Sequence, residues 1–217
     1  MLRTAGSVGL ATGAYGLSFG ALATSSGLTV TQTCALSVLT FSGGSQFALV
    51  GVLGSGGNLV SGSASAILLG VRNAFYGARL TPLLELSGWR KAVGAQLVTD
   101  ESTAVGLAQE DTGARAARLG FWATGLAVFV LWNLATLVGA LAGTAIGDPR
   151  DLGLDAAVPA AFVALLAPRL RDRETWTVAL VAVVVALAAV PFVPAGVPVL
   201  LTAGIPLAAV LVRRGPS

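Results

Sequence analysis

The sequence predicts an all-α integral membrane protein, a polytopic helical bundle of about seven or eight spans that forms one domain over residues 1–217. Hydrophobic residues make up 55% of the chain and charged residues 11%. Soluble domains carry about 25% charged residues, and a soluble fold of this length could not cover its surface with so few charges. In addition, apolar segments recur along the chain, close to the roughly 20 residues that a helix needs to cross a bilayer.

Seven segments are predicted to be spanning helices: residues 5–24, 30–53, 58–80, 119–146, 152–168, 175–191 and 196–212. An eighth segment, 92–108, is shorter and carries two acids at its centre, so it either crosses the membrane or re-enters it. If it crosses, the basic loop "WRK" (89–91) lies outside, against the positive-inside rule. If it re-enters, this loop and Arg115 lie on the same side.

The first segment carries a stripe of small residues spaced alternately by three and four. They are Gly6, Gly9, Gly13, Gly16, Gly20, Ala23 and Gly27. On a helix this spacing places them on one face, so another helix can approach backbone to backbone. The stripe serves either close packing in the bundle or a surface that slides when helices move.

The stretch "FSGGSQF", residues 41–47, predicts a break in the second apolar segment. Unpaired backbone groups are costly at membrane depth, so a broken helix is tolerated only where it is buried in protein or lines a cavity. The N-terminus of a half-helix attracts anionic groups such as a carboxylate. The break therefore supplies five candidate substrate ligands: Ser42, Gly43, Gly44, Ser45 and Gln46. The alternative is a kinked but continuous helix in which the glycines serve packing.

Two further polar groups interrupt apolar sequence, Asp100 with Glu101 and Arg72 with Asn73. A charge at the centre of a membrane helix costs about 2.5–3.5 kcal/mol on the insertion scale, so these groups must be protonated, paired or wet. The two acids are candidates for proton coupling or for binding the ammonium group of a zwitterion. Alternatively, they are solvated acids that cap a loop helix. Arg72 requires a partner, either one of these acids or a substrate carboxylate, and Asn73 is a candidate substrate ligand.

The residues that the chain lacks narrow its chemistry. It contains no histidine and one cysteine, Cys34, which excludes Ser–His catalysis, His-ligated metals and an intrachain disulfide. We therefore expect no metal, no cofactor and no enzymatic activity. Ser42 and Ser45 raise the alternative of an intramembrane hydrolase, but the sole lysine, Lys91, lies in a loop. The polar groups instead favour movement of a small polar solute across a membrane, by a secondary transporter or, alternatively, a passive channel.

Four motifs in the first half of the chain resemble the AzlC family of branched-chain amino acid permeases. They are "AYGLSFGALA" (14–23), "FSGGSQFALVG" (41–51), "VRNAFYGARL" (71–80) and "LVTDESTAV" (97–105). The resemblance implies a multi-pass protein of the cytoplasmic membrane that exports branched-chain amino acids with the proton gradient as driving force. It also implies a small membrane partner of the AzlD type. Many relatives carry a histidine in the third motif, where Asn73 follows Arg72 here.

Overall fold

The computed structural model describes residues 2–145, 163, 166, 167 and 170–205, and every element in these ranges is helical. The elements are α1 (Leu2–Ser25), α2 (Val30–Leu39), α3 (Gly43–Gly54), α4 (Leu59–Leu84), α5 (Trp89–Gln96), α6 (Asp100–Leu107), a 3₁₀-helix (Glu110–Thr112), α7 (Ala114–Ala145), α8 (Arg173–Ala189) and α9 (Val197–Thr202). The all-helical prediction is confirmed for this part of the chain.

Among the described helices, α7 is the one that is long and apolar enough to cross a membrane by length and composition, while α2 and α3 are apolar but shorter. The predicted span 152–168, apart from three of its residues, and the second half of the predicted span 196–212 lie outside the described residues. The number of spans therefore stays a prediction.

Helices α1 and α7 form the central pair and run in the same direction. A Cβ atom on Gly9 would lie 2.9 Å from Cβ of Ala127, and one on Gly20 would overlap the carbonyl oxygen of Thr136. Residue numbers rise together along this contact, so the helices are parallel and pack backbone to backbone. Gly6 lies outside the contact and has nothing within 4 Å. Both helices begin at one end of the bundle, the near end, and finish at the other, the far end.

Helix α2 starts beside the last turn of α1 at the far end and descends to the middle of the bundle. The Oγ atom of Ser37 donates a hydrogen bond to Oγ1 of Thr136 at 3.3 Å, and the ring of Phe41 lies 4.9 Å from that of Phe129. From residue 37 to residue 41 the residue number of the α7 partner falls from 136 to 129, so the two helices are antiparallel. The chain then leaves helical geometry at residues 40–42. The break thus lies at the start of the predicted stretch 41–47, and residues 43–47 are helical.

Helix α3 returns to the far end. It begins at mid-height, where a Cβ atom on Gly43 would lie 3.0 Å from the indole of Trp132. It ends at Gly54, where such an atom would lie 2.7 Å from Oγ of Ser26, just beyond α1. Residues 30–54 therefore form a hairpin, hairpin 1, that starts and ends at the far end of the bundle, so α2 and α3 do not run in one direction as the predicted span 30–53 requires. The reversal occurs because the unpaired backbone of the break is satisfied within the protein, as described below.

Helix α4 descends from the far end to the near end. Near its start, a Cβ atom on Gly62 would meet Cδ1 of Leu49, and at mid-height Arg72 lies beside Gly44. At its end the carbonyl oxygen of Leu83 accepts a hydrogen bond from Nε of Arg118 at 2.9 Å, in the first turns of α7. Helix α4 is therefore antiparallel to α3 and to α7.

Helices α5 and α6 form a second hairpin, hairpin 2, from the near end. Helix α5 rises until Nε2 of Gln96 donates a hydrogen bond to the carbonyl oxygen of Val38 at 2.6 Å, at the tip of hairpin 1. After a break at 97–99, α6 descends, and Gly120 of α7 packs on Val105. Of the two predictions for 92–108, the structure therefore shows re-entry, and "WRK" and Arg115 lie at the same end.

The chain thus contains two units that have the same order of elements, a helix followed by a hairpin, and that run in opposite directions through the bundle. The first is α1 followed by hairpin 1, and the second is α4 followed by hairpin 2. Inverted units of this kind are a common construction in secondary transporters. The C-terminal part covers one side, because Oγ of Ser61 donates a hydrogen bond to the carbonyl oxygen of Ala195 at 3.0 Å and α9 packs against α4.

Candidate functional site

A cavity of about 600 Å³ lies where the tips of the two hairpins meet. The first turns of α3 and α6 and the middle of α4 provide its polar lining. These residues are Ser42, Gly43, Gly44, Arg72, Asn73, Thr99, Asp100 and Glu101. Seven of them are candidates from the sequence, so residues that lie up to 59 positions apart in the chain meet at one site.

The two helix N-termini that face the cavity differ in how they are capped. At α6, Oγ1 of Thr99 accepts a hydrogen bond from the backbone N–H of Ser102 at 3.2 Å. At α3, the N-cap residue Ser42 has an extended backbone and makes no side-chain cap hydrogen bond. Because glycine occupies the first two positions of α3, no side chain shields its N–H groups. The positive end of this helix dipole is therefore open to the cavity.

The charged groups of the cavity form one ion pair and leave one acid outside it. Nη1 of Arg72 lies 2.8 Å from Oδ2 of Asp100, and the two side chains are 37% and 24% exposed. The Nε atom of Arg72 and Oδ1 of Asn73 are buried and have no hydrogen-bond partner in the part of the chain that the structure describes. Within the described residues, no hydrogen bond or ion pair engages the carboxylate of Glu101. No cluster of metal-binding side chains occurs among these residues.

The two glycines at the start of α3 are required by close neighbours. A Cβ atom on Gly44 would lie 3.0 Å from Nη2 of Arg72, and one on Gly43 would lie 3.0 Å from Cη2 of Trp132. Even a Cβ atom at either position would require the guanidinium or the indole to shift slightly, and a larger side chain would compete with it for the entrance of α3. The glycine pair therefore allows a cation and an aromatic ring to approach a helix N-terminus closely.

Gln46 does not line the cavity but supports the break beside it. Its side chain is fully buried, and Nε2 donates hydrogen bonds to the carbonyl oxygens of Thr40 at 2.7 Å and Ser37 at 3.2 Å. Its Oε1 accepts a hydrogen bond from Nε1 of Trp132 at 3.0 Å. These contacts supply donors to carbonyl groups at the end of α2, where the carbonyl of Thr40 also accepts a hydrogen bond from the N–H of Ser42 at 2.6 Å. Ser45 is also outside the cavity, and its Oγ donates to Oγ of Ser42 at 3.1 Å.

The remaining wall of the cavity is mainly apolar and was only partly anticipated. It includes Phe41, Phe47, Leu68, Leu69, Val128, Trp132 and Val199. Phe47 packs edge to face on Trp132 with ring centroids 6.3 Å apart, which fixes the indole at the mouth of α3. Thr99 was missed, although its spacing to Ser102 is that of an N-terminal capping motif. The aromatic residues carry no sequence signal that separates a cavity wall from ordinary core.

Comparison with known protein families matches residues 7–146 to the AzlC protein family. The matched range contains both hairpins and the polar residues that α3, α4 and α6 place at the cavity. The chain belongs to the AzlC family. This family is associated with branched-chain amino acid transport and is not a family of enzymes. Comparisons with curated proteins and with solved structures give no match.

Proposed function

We propose that this AzlC protein is a secondary transporter of the cytoplasmic membrane that exports branched-chain amino acids, and that residues 1–217 form its single transporter domain. One observation carries the proposal: the open N-terminus of α3 and the acidic first turn of α6 face the same cavity. A site with a positive side and a negative side suits a zwitterion, whose carboxylate and ammonium groups need opposite partners.

The carboxylate of the amino acid would bind at the start of α3. The N–H groups of the first turn point along the helix axis toward the cavity, and Gly43 and Gly44 leave them accessible. The guanidinium of Arg72 lies beside them, and its buried Nε lacks a partner. A helix N-terminus and an arginine together make a strong site for a planar anion.

The ammonium group would bind at the start of α6, where Glu101 is the acid that no described residue engages. Asp100 instead fixes Arg72 through their ion pair. We propose that Glu101 also carries the coupling proton, because a carboxylate that binds an ammonium group in one state can hold a proton in the other. Asn73, which lines the same cavity, would supply an amide to the polar part of the solute.

The apolar wall accounts for a branched aliphatic side chain. Val128, Leu68 and Leu69 face the cavity together with the ring of Phe47. Burial of apolar surface contributes about 0.8 kcal/mol per CH₂ group, so valine, leucine and isoleucine would be favoured over glycine and alanine. A purely hydrophobic wall distinguishes weakly among the three, since one methylene changes binding by about 1–3 kcal/mol.

The ends of the bundle suggest an orientation. The near end carries basic residues from four segments: Arg3, Arg79, Arg90, Lys91, Arg115 and Arg118. The three described turns at the far end, 26–29, 55–58 and 190–196, carry no charged residue. By the positive-inside rule the near end, and with it the start of α1, would lie in the cytoplasm.

The test is transport by the purified full-length chain in proteoliposomes, with labelled valine, leucine and isoleucine, with and without a pH gradient. We expect movement against the amino acid gradient that depends on the pH gradient. Parallel vesicles that contain a co-encoded small AzlD-type subunit show whether the chain works alone. Flux that only follows the amino acid gradient would instead establish the alternative, a passive channel. An absence of flux for all three amino acids in both preparations would overturn the proposal.

A further inference from the structure

A second cavity of about 630 Å³ lies on the other side of the hairpin 1 break. Parts of α2, α3 and α4 and the tip of hairpin 2 line it. It shares three wall residues with the first cavity: Phe41, Ser42 and Asn73. These three residues, here called the partition, therefore separate two spaces that are each large enough for an amino acid.

The partition is built from groups that are suited to move or to contact a passing polar solute. Residues 40–42 belong to no helix, but hydrogen bonds from the N–H of Thr40 to the carbonyl oxygen of Leu36 and from the N–H of Gln46 to the carbonyl oxygen of Ser42 hold their backbone. The part of this segment that can move without breaking these bonds is therefore the side chain of Phe41. The ring of Phe41 stands edge to face on Phe129 at 4.9 Å and blocks the direct route. On the opposite side, Asn73 lines both cavities, and its Oδ1 atom is buried without a hydrogen-bond partner among the described residues.

The two cavities differ in charge. The first has Arg72, Asp100 and Glu101 in its wall, whereas the described lining of the second has hydroxyl and amide groups but no charged side chain. Ser63 and Gln96 are examples. A zwitterion that leaves the first cavity thus exchanges fixed charges for neutral polar partners. Binding in the second cavity is therefore weaker, as release requires.

We propose that the second cavity is a further binding station for the transported amino acid, and that Phe41, Ser42 and Asn73 form the gate between the two stations. This inference rests on the proposed function, because it assigns the route of the same solute. It adds a second site for an aliphatic zwitterion, separate from the first site at the ion pair and the helix N-termini.

The experiment closes the second cavity after the protein has folded. The full-length chain carries Cys34→Ser and Ser63→Cys and reacts with a bulky maleimide in proteoliposomes. Ser63 lines the second cavity and not the first. We expect complete modification to lower valine, leucine and isoleucine transport at least tenfold, while equilibrium binding of the same amino acids changes by less than twofold. Val60→Cys, on the same helix and 80% exposed, is the matched control and should keep full transport when modified.

Removal of the gate gives a second readout. Phe41→Ala is expected to raise passive flux down the amino acid gradient and to abolish its dependence on the pH gradient. Phe75→Ala, an exposed phenylalanine on α4, should do neither. Undiminished transport after full modification of Ser63→Cys, or an equal loss of binding and transport, would overturn the second station. The proposed function itself fails separately, if the unmodified protein neither binds nor transports the three amino acids.

Discussion

Nη1 of Arg72, midway along α4, lies 2.8 Å from Oδ2 of Asp100, the first residue of α6. This ion pair lies within the second unit, α4 followed by hairpin 2, and it fixes the guanidinium of Arg72. Because the same guanidinium also lies against Gly44 at the start of α3, Arg72 connects the second unit to the first. The pair therefore sets the distance between the two helix N-termini across the cavity.

The first prediction concerns this pair. Asp100→Asn should lower transport at least about tenfold, because the guanidinium loses a charged partner worth more than about 1.4 kcal/mol in a partly buried site. Initial rates in proteoliposomes give the measurement. Glu85→Gln is the control, since Glu85 pairs with Arg118 at the near end and is 68% exposed; exposed pairs contribute about 0–1 kcal/mol. Equal effects of the two substitutions would refute a special role for Asp100.

The second prediction separates the two neighbouring acids. Glu101→Gln should keep exchange of amino acid across the membrane at a lowered affinity, because the amide oxygen still accepts a hydrogen bond from the ammonium group. The response to a pH gradient should be lost, because the amide does not take up and release the coupling proton. Counterflow and gradient-driven uptake measured on one preparation provide the comparison. If gradient-driven transport survives in Glu101→Gln, the coupling proton is carried elsewhere.

The third prediction tests the opening of α3. Gly43→Leu should reduce transport more than about tenfold, because the new side chain would occupy the space of the Trp132 indole at the cavity. Gly77→Leu is the matched change, since Gly77 lies in helix α4 with nothing within 4 Å of an added Cβ atom. Both proteins are compared by transport rate per folded molecule, after size-exclusion chromatography. Similar rates would mean that the glycine pair serves packing alone.

The fourth prediction concerns Gln46 as a support of the break. Gln46→Leu removes the side-chain partner of the Ser37 carbonyl and of the Trp132 N–H, at about 1–3 kcal/mol for each orphaned group, while the carbonyl of Thr40 keeps the N–H of Ser42. The melting temperature in detergent should fall by about 5 °C or more, at roughly 2–4 °C per kcal/mol. An unchanged melting temperature in Gln46→Leu would count against this role.

The fifth prediction tests both hairpins and the orientation. In a Cys34→Ser background, Ser26→Cys and Ser55→Cys should react with an impermeant maleimide from outside intact cells, because hairpin 1 starts and ends at the far end. Lys91→Cys and Asp111→Cys should react only after permeabilisation. Labelling of Ser26→Cys and Ser55→Cys from opposite sides would show that residues 30–54 cross the membrane.

The local chemistry of the site could be read from the sequence more readily than its geometry. Adjacent glycines between serines indicate a break, and an arginine in an apolar segment requires a partner; both features appear in the structure. The reversal of chain direction from α2 to α3 has no local signal in the sequence. It depends on contacts such as that of Gly54 with Ser26, 28 residues away. Which of the two acids pairs with Arg72, Asp100 or Glu101, likewise depends on how α6 is rotated against α4.

The glycine stripe shows the same difference between a local pattern, which the sequence predicts, and its packing partner, which it does not. Its periodicity predicts a flat face on α1, and the contact with α7 accounts for the face from Gly9 to Gly20. Which helix covers this face could not be predicted, since α7 lies more than 100 residues further along the chain and any helix with small residues would fit. Short-range patterns thus define faces and breaks, while their partners are selected by the packing of the whole bundle.

The partnership of α1 with α7 has a consequence for biogenesis. During synthesis α1 leaves the ribosome first, yet the surface that covers its glycines emerges only after both hairpins have been made. Until then the polar tips of the hairpins lack the wall that α7 provides on one side, through Trp132 and Gly125. Assembly therefore cannot proceed helix by helix from the N-terminus, and the nascent protein has to hold its early segments in the translocon or its surroundings until α7 arrives.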